Sequence, residues 1–215
     1  MSLVVLKVGG ASVGGIELPD GPTVVVHGAG PQISEEMERR GLEPRFVGGR
    51  RVTTPEVLEI VRESFAAVSA EVCRAVGPRA LPLHGEEIGL RAEPRPELGL
   101  VGSAVPSAPP AVTAALAAGL VPVVTPLAQG PLNVNADEAA AALAVGLGAD
   151  RLLFLTDVPG VFHEGELLET IEAERAEALV GDGSFEGGIV PKLLAAARAA
   201  RGGLVAEIGA TAVVG

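Results

Sequence analysis

Leu3-Val4-Val5-Leu6-Lys7-Val8-Gly9-Gly10 and Thr23-Val24-Val25-Val26-His27-Gly28-Ala29-Gly30 are the two stretches that decide how this chain folds. Each is apolar at successive positions rather than at alternate ones, which marks a strand buried on both faces of a parallel sheet. Each stops in glycine. In such sheets ligands bind outside the carboxyl ends of the strands, so both glycine clusters stand where a site would form. Glycine lets backbone N–H groups approach an anion, and a helix starting at Pro31 adds the partial positive charge of a helix N-terminus. Two ordinary tight turns read the same way, so neither cluster decides the function alone.

Working outward, residues 32–40 are amphipathic and stop at Gly41, and residues 46–52 read as a strand or hairpin. Thr54-Pro55-Glu56 opens a long helix to about Val76, with Thr54 as N-cap and Pro55 at its first position. Residues 83–105 are rich in Gly, Pro and charge and read as an irregular hairpin or lid region. A helix over 109–118 and a buried strand over 121–125 follow. Asn135 with Glu138 three residues on predicts a capped helix to about Leu147. Residues 151–155 are a strand ending in the turn Thr156-Asp157-Val158-Pro159-Gly160, and helices are predicted over 172–180 and 191–201. The alternation of strand and helix predicts one α/β domain over 1–215 with a mainly parallel central sheet.

With 215 residues, 48% of them hydrophobic, the chain is long enough for a full core, and no apolar run reaches the length of a membrane span. Residues 1–6 carry no basic or cleavable leader pattern, from which a cytoplasmic protein is expected. A net charge of −11 argues against nucleic acid or an anionic membrane as partner and leaves a small molecule. Any phosphorylated ligand must then be held by local dipoles and a few cations. The single Cys73 excludes an internal disulfide framework, and no Cys/His spacing suits zinc.

Lys7 and Lys192 are the only lysines against fourteen arginines, and Asn133 and Asn135 are the only asparagines. A compact ammonium that must reach a phosphate oxygen is not easily replaced by a planar guanidinium. Genomic bias also leaves such remnants, but all four fall in segments unusual for other reasons. Lys192 stands in the first turn of a helix, where a cation opposes the dipole, so structure alone does not account for it. Asn135 reads as a cap and Asp137 as an acid suited to the helix start, whereas Asn133 precedes the cap and helix formation does not explain it. The chain has no Gly-x-x-x-x-Gly-Lys-Ser/Thr loop, no Gly-x-Gly-x-x-Gly after a strand and no Gly-x-Ser-x-Gly elbow, so P-loop, dinucleotide and hydrolase readings lose support.

Taken together, Lys7-Val8-Gly9-Gly10, His27-Gly28-Ala29-Gly30-Pro31-Gln32-Ile33, Phe46-Val47-Gly48-Gly49-Arg50-Arg51-Val52-Thr53, Asn133-Val134-Asn135-Ala136-Asp137, Leu155-Thr156-Asp157-Val158-Pro159-Gly160-Val161 and Gly187-Gly188-Ile189-Val190-Pro191-Lys192 resemble the amino acid kinase family, most closely its branch acting on N-acetylglutamate. The six segments run in family order over nearly the whole chain. The resemblance implies a three-layer α/β sandwich, an acceptor-binding half over about 1–130 and a nucleotide-binding half over about 131–215. It implies phosphoryl transfer from ATP, with Mg²⁺ held mainly through the nucleotide phosphates and no protein metal ligand, to the side-chain carboxylate of an N-acylated glutamate in arginine biosynthesis. Lys7 and Lys192 would neutralise charge on the transferred group and Asp137 would hold both lysines. Gly28, Ala29, Arg51 and Asn133 would bind the acceptor, with Arg51 forked onto its α-carboxylate. Lys7, Gly9, Gly10, Gly30, Thr156, Asp157 and Lys192 would bind the nucleotide.

Other acceptors within the family and a nucleotide- or amino-acid-binding sensor without turnover are the alternatives. Three departures sharpen the expectation. Residues 11–22 leave no room for the family's helix between the first two strands, so one sheet face should be thinly covered or covered by a partner. Ala29 replaces a glycine where positive φ would exclude it. The stretch 202–215 lacks the Asp-Gly-Arg turn and further helix that family members carry after the last matched lysine, so adenine and ribose recognition is expected to be weaker. Without the N-terminal helix of arginine-inhibited members, a homodimer is expected and an arginine-driven hexamer is not.

Overall fold

The computed structural model describes residues 2–10, 16–156 and 158–215. Residues 11–15 of the short connection and Asp157 therefore lie outside the described residues. An eight-stranded sheet forms the middle of the molecule, in the order Thr170–Glu172, Thr211–Val214, Val205–Ile208, Arg151–Leu155, Val4–Val8, Thr23–His27, Val121–Thr125, Ala80–His84. Every neighbouring pair is parallel except Val205–Ile208 with Thr211–Val214. Val4–Val8 and Thr23–His27 are buried at every position, as their mostly apolar sequence requires, with Lys7, Thr23 and His27 buried among the valines. The order reverses at Val4–Val8, which pairs with Thr23–His27 on one side and Arg151–Leu155 on the other. A crevice opens at the carboxyl end of a strand where the order reverses, and Lys7, Gly9 and Gly10 stand there.

Among the described residues seven α-helices flank the sheet: α1 (Gly30–Arg39), α2 (Pro55–Val76), the single turn α3 (Gly85–Ile88), α4 (Pro110–Ala117), α5 (Ala136–Leu147), α6 (Ala173–Gly181) and α7 (Ile189–Arg201). The caps follow the sequence. Thr54 Oγ1 accepts from the Val57 amide at 3.2 Å, and Asn135 Oδ1 accepts from the amides of Asp137 and Glu138 at 2.8 and 3.2 Å. Gly148 ends α5 at φ +62°. α7 begins at Ile189, two residues before the expected start, and Gly188 is its N-cap.

Strand alternation divides the core. Val5, Val24, Val26, Leu152 and Phe154 pack with residues of α4–α7, whereas Leu6, Val8 and Val25 pack with residues of α1 and α2. α5 and α7 turn alanines inward, Ala139–Ala142 and Ala195–Ala197 among them, so both helices lie close to the sheet and to each other. The other face is covered less evenly. Leu153 and Leu155 stay half-buried there, and Arg151 forks onto Glu207 across neighbouring strands at 2.8 and 2.9 Å.

Two stretches need correction. Residues 83–105 are not one irregular hairpin. Ala80–His84 is the edge strand of the main sheet, and Ala92–Pro94 and Val101–Ala104 join Leu132–Val134 and Leu127–Ala128 in a four-stranded second sheet. Pro82 and Pro94 hide these strands in the sequence, yet an edge tolerates a missing N–H. Residues 202–215, for which the sequence predicts no element, hold two strands: Val205–Ile208 and Thr211–Val214 fold back as an antiparallel pair that extends the sheet. Gly209 turns between them at φ +57°, its Cα so close to the backbone of Pro159 that a β-carbon would lie 2.5 Å from it.

Candidate active site

The crevice at the reversal point widens into a cleft of about 510 Å³ lined by Lys7, Gly9, Gly10, Gly28, Ala29, Gly30, Arg51, Asn133, Asp137, Thr156 and Lys192 among others. These residues come from segments far apart in sequence. Lys7 is the penultimate residue of the first strand, Asp137 sits in the first turn of α5 and Lys192 in the first turn of α7. Lys7 Nζ lies 2.8 Å from Asp137 Oδ1, and Lys192 Nζ lies 3.9 Å from Asp137 Oδ2 and donates to the Gly188 carbonyl at 3.3 Å. The Lys7 and Asp137 side chains are 8% and 7% exposed, so this is a sheltered ion pair, and the helix dipole favours the carboxylate where it stands. Two ammonium groups thus converge on one carboxylate at this end of the cleft.

The glycine segments form the wall between the strand ends. A β-carbon on Gly10 would lie 2.6 Å from Gln32 Oε1, whereas one on Gly30 would meet nothing within 4 Å, so Gly30 opens onto free space. Gln32 Nε2 donates to the Gly10 carbonyl at 2.9 Å and ties that loop to α1. Ala29 is the N-cap of α1 at φ −143°, a conformation open to any residue, and its methyl is buried with Leu6 and Ile33. Positive φ, which would have excluded alanine, is therefore not required here. His27 beneath this wall is wholly buried, edge-on to Phe65 with ring centroids 5.9 Å apart. Burial lowers its pKa to about 4, so the ring is neutral at pH 7.

The far end of the cleft is built on the hairpin of Phe46–Val47 with Arg50–Arg51, turned by Gly48 and Gly49 at φ +54° and +75°. Arg51 is 6% exposed and donates through Nη2 to the Gly30 carbonyl at 3.0 Å and Ser34 Oγ at 2.8 Å. Its guanidinium stacks on Phe46 at 4.6 Å. Among the described residues no carboxylate lies within ion-pair distance of it, and burial pulls its pKa below the usual arginine value. Asn133 is buried and donates through Nδ2 to Thr53 Oγ1 at 3.0 Å, and Thr53 in turn donates to the Arg51 carbonyl at 2.8 Å.

Every described residue singled out from the sequence thus lines this one cleft. Sequence reasoning missed Thr53, Gln32 and Ser34, which orient Asn133, Gly10 and Arg51, and the Arg50–Glu138 ion pair of 2.7 Å that joins the hairpin to α5. Their partners lie distant in sequence, and no local pattern signals them.

The sequence model of the amino acid kinase family matches residues 2–209. The chain belongs to the amino acid kinase family. Among its relatives, an acetylglutamate kinase from Rubrobacter xylanophilus is 42% identical over 97% of this chain and 88% of its own length. A longer one from Saccharopolyspora erythraea is 41% identical over 84% of this chain, which spans 66% of it. The crystal structure of smu.665 from Streptococcus mutans superposes with a TM-score of 0.85 over 99% of this chain and 98% of that one, at 23% identity, and shows the shared amino acid kinase fold.

Proposed function

We propose that this chain transfers the γ-phosphoryl group of ATP to the side-chain carboxylate of N-acetyl-L-glutamate, the reaction named by its relatives and a step of arginine biosynthesis. The observation that carries this reading is the pairing of charges in one cleft. Lys7 and Lys192 converge on Asp137 at one end, and a buried Arg51 without an acidic partner among the described residues stands at the other.

A carboxylate oxygen of the acceptor attacks the γ-phosphorus in line, the bond to the β–γ bridging oxygen breaks, and its electron pair leaves with ADP. The acceptor is already ionised, so no proton moves and neutral His27 has no part in the step. Catalysis of this kind is positioning plus neutralisation of charge. Lys7 would face the transferred group and the acceptor oxygen, Lys192 the phosphates of the nucleotide, and Asp137 would hold both ammonium groups apart from each other. Amides at Gly9, Gly10, Gly28, Ala29 and Gly30 would receive phosphate and acceptor oxygens, with Thr156 and Asp157 on the nucleotide side. Arg51 would fork onto the α-carboxylate, a geometry that suits guanidinium, and Asn133 would bind the amino-acid portion.

Among the described residues no cluster of three His, Cys, Asp or Glu is arranged for a metal, and the carboxylate in the cleft is taken by lysines. Mg²⁺ would then arrive on the nucleotide phosphates and neutralise charge on the β- and γ-oxygens. Acceptor contacts would come mainly from residues 1–130 and nucleotide contacts mainly from 131–215. No helix among the described residues is long and apolar enough to cross a membrane. The proposed enzyme is a cytoplasmic homodimer, which sedimentation velocity checks.

Trapping the acyl phosphate with hydroxylamine tests the reaction. An ATP-dependent signal with N-acetyl-L-glutamate, absent with glutamate, aspartate, N-acetylaspartate and UMP, is expected. ATP binding with no signal for any acceptor would point to a sensor instead.

A further inference from the structure

We infer that Arg50 and Glu138 are a positioning pair for the acceptor: their ion pair clasps the hairpin of residues 46–51 against the first turn of α5 and so fixes where the Arg51 guanidinium stands. The inference rests on the reading of Arg51 as the ligand of the acceptor's α-carboxylate.

The hairpin cannot hold its own place. Its strands are two residues each, its turn is two glycines, and Phe46 and Val47 are 55% and 54% exposed. Backbone bonds of Thr53 with Leu98 and Leu100 anchor its exit at 2.9 and 2.7 Å, and side-chain contacts hold the strand itself on both sides. Arg51 reaches α1 through Gly30 and Ser34, while its neighbour Arg50 points the other way and meets Glu138 of α5 at 2.7 Å. The strand is thus strung between two helices. The Arg50 and Glu138 side chains are 25% and 14% exposed, sheltered enough for the pair to outweigh an ordinary surface contact. Asn135 Nδ2 adds a bond of 3.3 Å to the Gly49 carbonyl. A planar fork binds a carboxylate well only when it is aimed. Releasing Arg50 lets the strand roll and spoils that aim, although Arg50 itself need not touch the acceptor. Glu138 also follows Asp137 directly, so a single helical turn sets both the acceptor hairpin and the carboxylate that gathers the lysines.

The test uses Glu138→Gln, which keeps the shape of the helix N-terminus, Arg50→Leu, and the double variant. Each single change is expected to raise the acceptor KM about tenfold, with kcat at saturating acceptor and the KM for ATP moving less than about threefold. The double variant should resemble either single one, the sign of a shared interaction. In hydrogen exchange, amides 46–51 should exchange faster in Glu138→Gln than in the wild type while α5 keeps its protection. A merely structural role would lower stability without this split between KM and kcat. Acceptor KM values within about twofold of wild type, or unchanged exchange at 46–51, would overturn the inference. Wild-type protein that phosphorylates no N-acetyl-L-glutamate would sink the functional reading instead. Exchange at the hairpin then decides the clasp by itself, faster in Glu138→Gln supporting it and unchanged refuting it.

Discussion

At one end of the cleft two lysines share a buried aspartate, and at the other a buried arginine has only neutral partners among the described residues. The first end is held together by its own charges and is arranged before any ligand arrives. The second carries an uncompensated cost, since a guanidinium has left water without gaining an anion. A catalytic group benefits from being rigid and charged in advance, because nothing then has to reorganise during transfer. A recognition group that stays short of a partner gains most when the correct carboxylate fills the gap, which is a source of specificity.

Removing an ammonium group is the harshest way to break this contrast. Lys7→Ala and Lys192→Ala should each lower kcat by about 10²–10³-fold or more; circular dichroism and melting should stay near those of the wild type in Lys192→Ala, whereas Lys7→Ala, which strips the buried Asp137 carboxylate of its partner, should also melt lower. Near-normal turnover in Lys192→Ala would refute its role. At the other end, Arg51→Lys keeps the charge and loses the fork, so the acceptor KM should rise about 10²-fold with the KM for ATP nearly constant. An equal rise in both would erase the distinction between the ends.

His27 lies under the glycine wall between them, and its effect is on stability. Its folded pKa of about 4 is below its ordinary value of 6.5. Above pH 6.5 neither state is protonated there. As pH falls from 6.5 toward 4, the unfolded chain binds a proton that the folded one refuses, and roughly 3 kcal/mol is lost. Urea midpoints across that window should fall more steeply for the wild type than for His27→Gln. The smallest effect is expected at Asn135, whose side chain caps α5 and touches Gly49 of the hairpin. Asn135→Ala should cost about 1 kcal/mol in chemical denaturation, with small changes in both KM values.

Much of this molecule could be read along the chain because the relevant physics is local. Mostly apolar runs ending in glycine marked Val4–Val8 and Thr23–His27 as central strands. Thr54 and Asn135 announced their helices through bonds to amides three residues away or less. Lys7 and Lys192 stood out because each occupies a place that helix or strand formation does not require. The second sheet escaped notice because Pro94 and Gly102 break its pattern, although Gly102 is there because a β-carbon would lie 2.7 Å from Ala92 Cβ.

What the amino-acid order determined by itself is the alternation of elements, their caps and the identity of the scarce cations, all of which depend on neighbours a few bonds apart. Only the tertiary structure decided that Ala29 takes negative φ, that Thr53 holds Asn133 across eighty residues, that Arg50 finds Glu138, and that the last ten residues return to the sheet. Each of these depends on distances between segments that meet only when the sheet has closed around Val4–Val8, and no local propensity encodes such a distance.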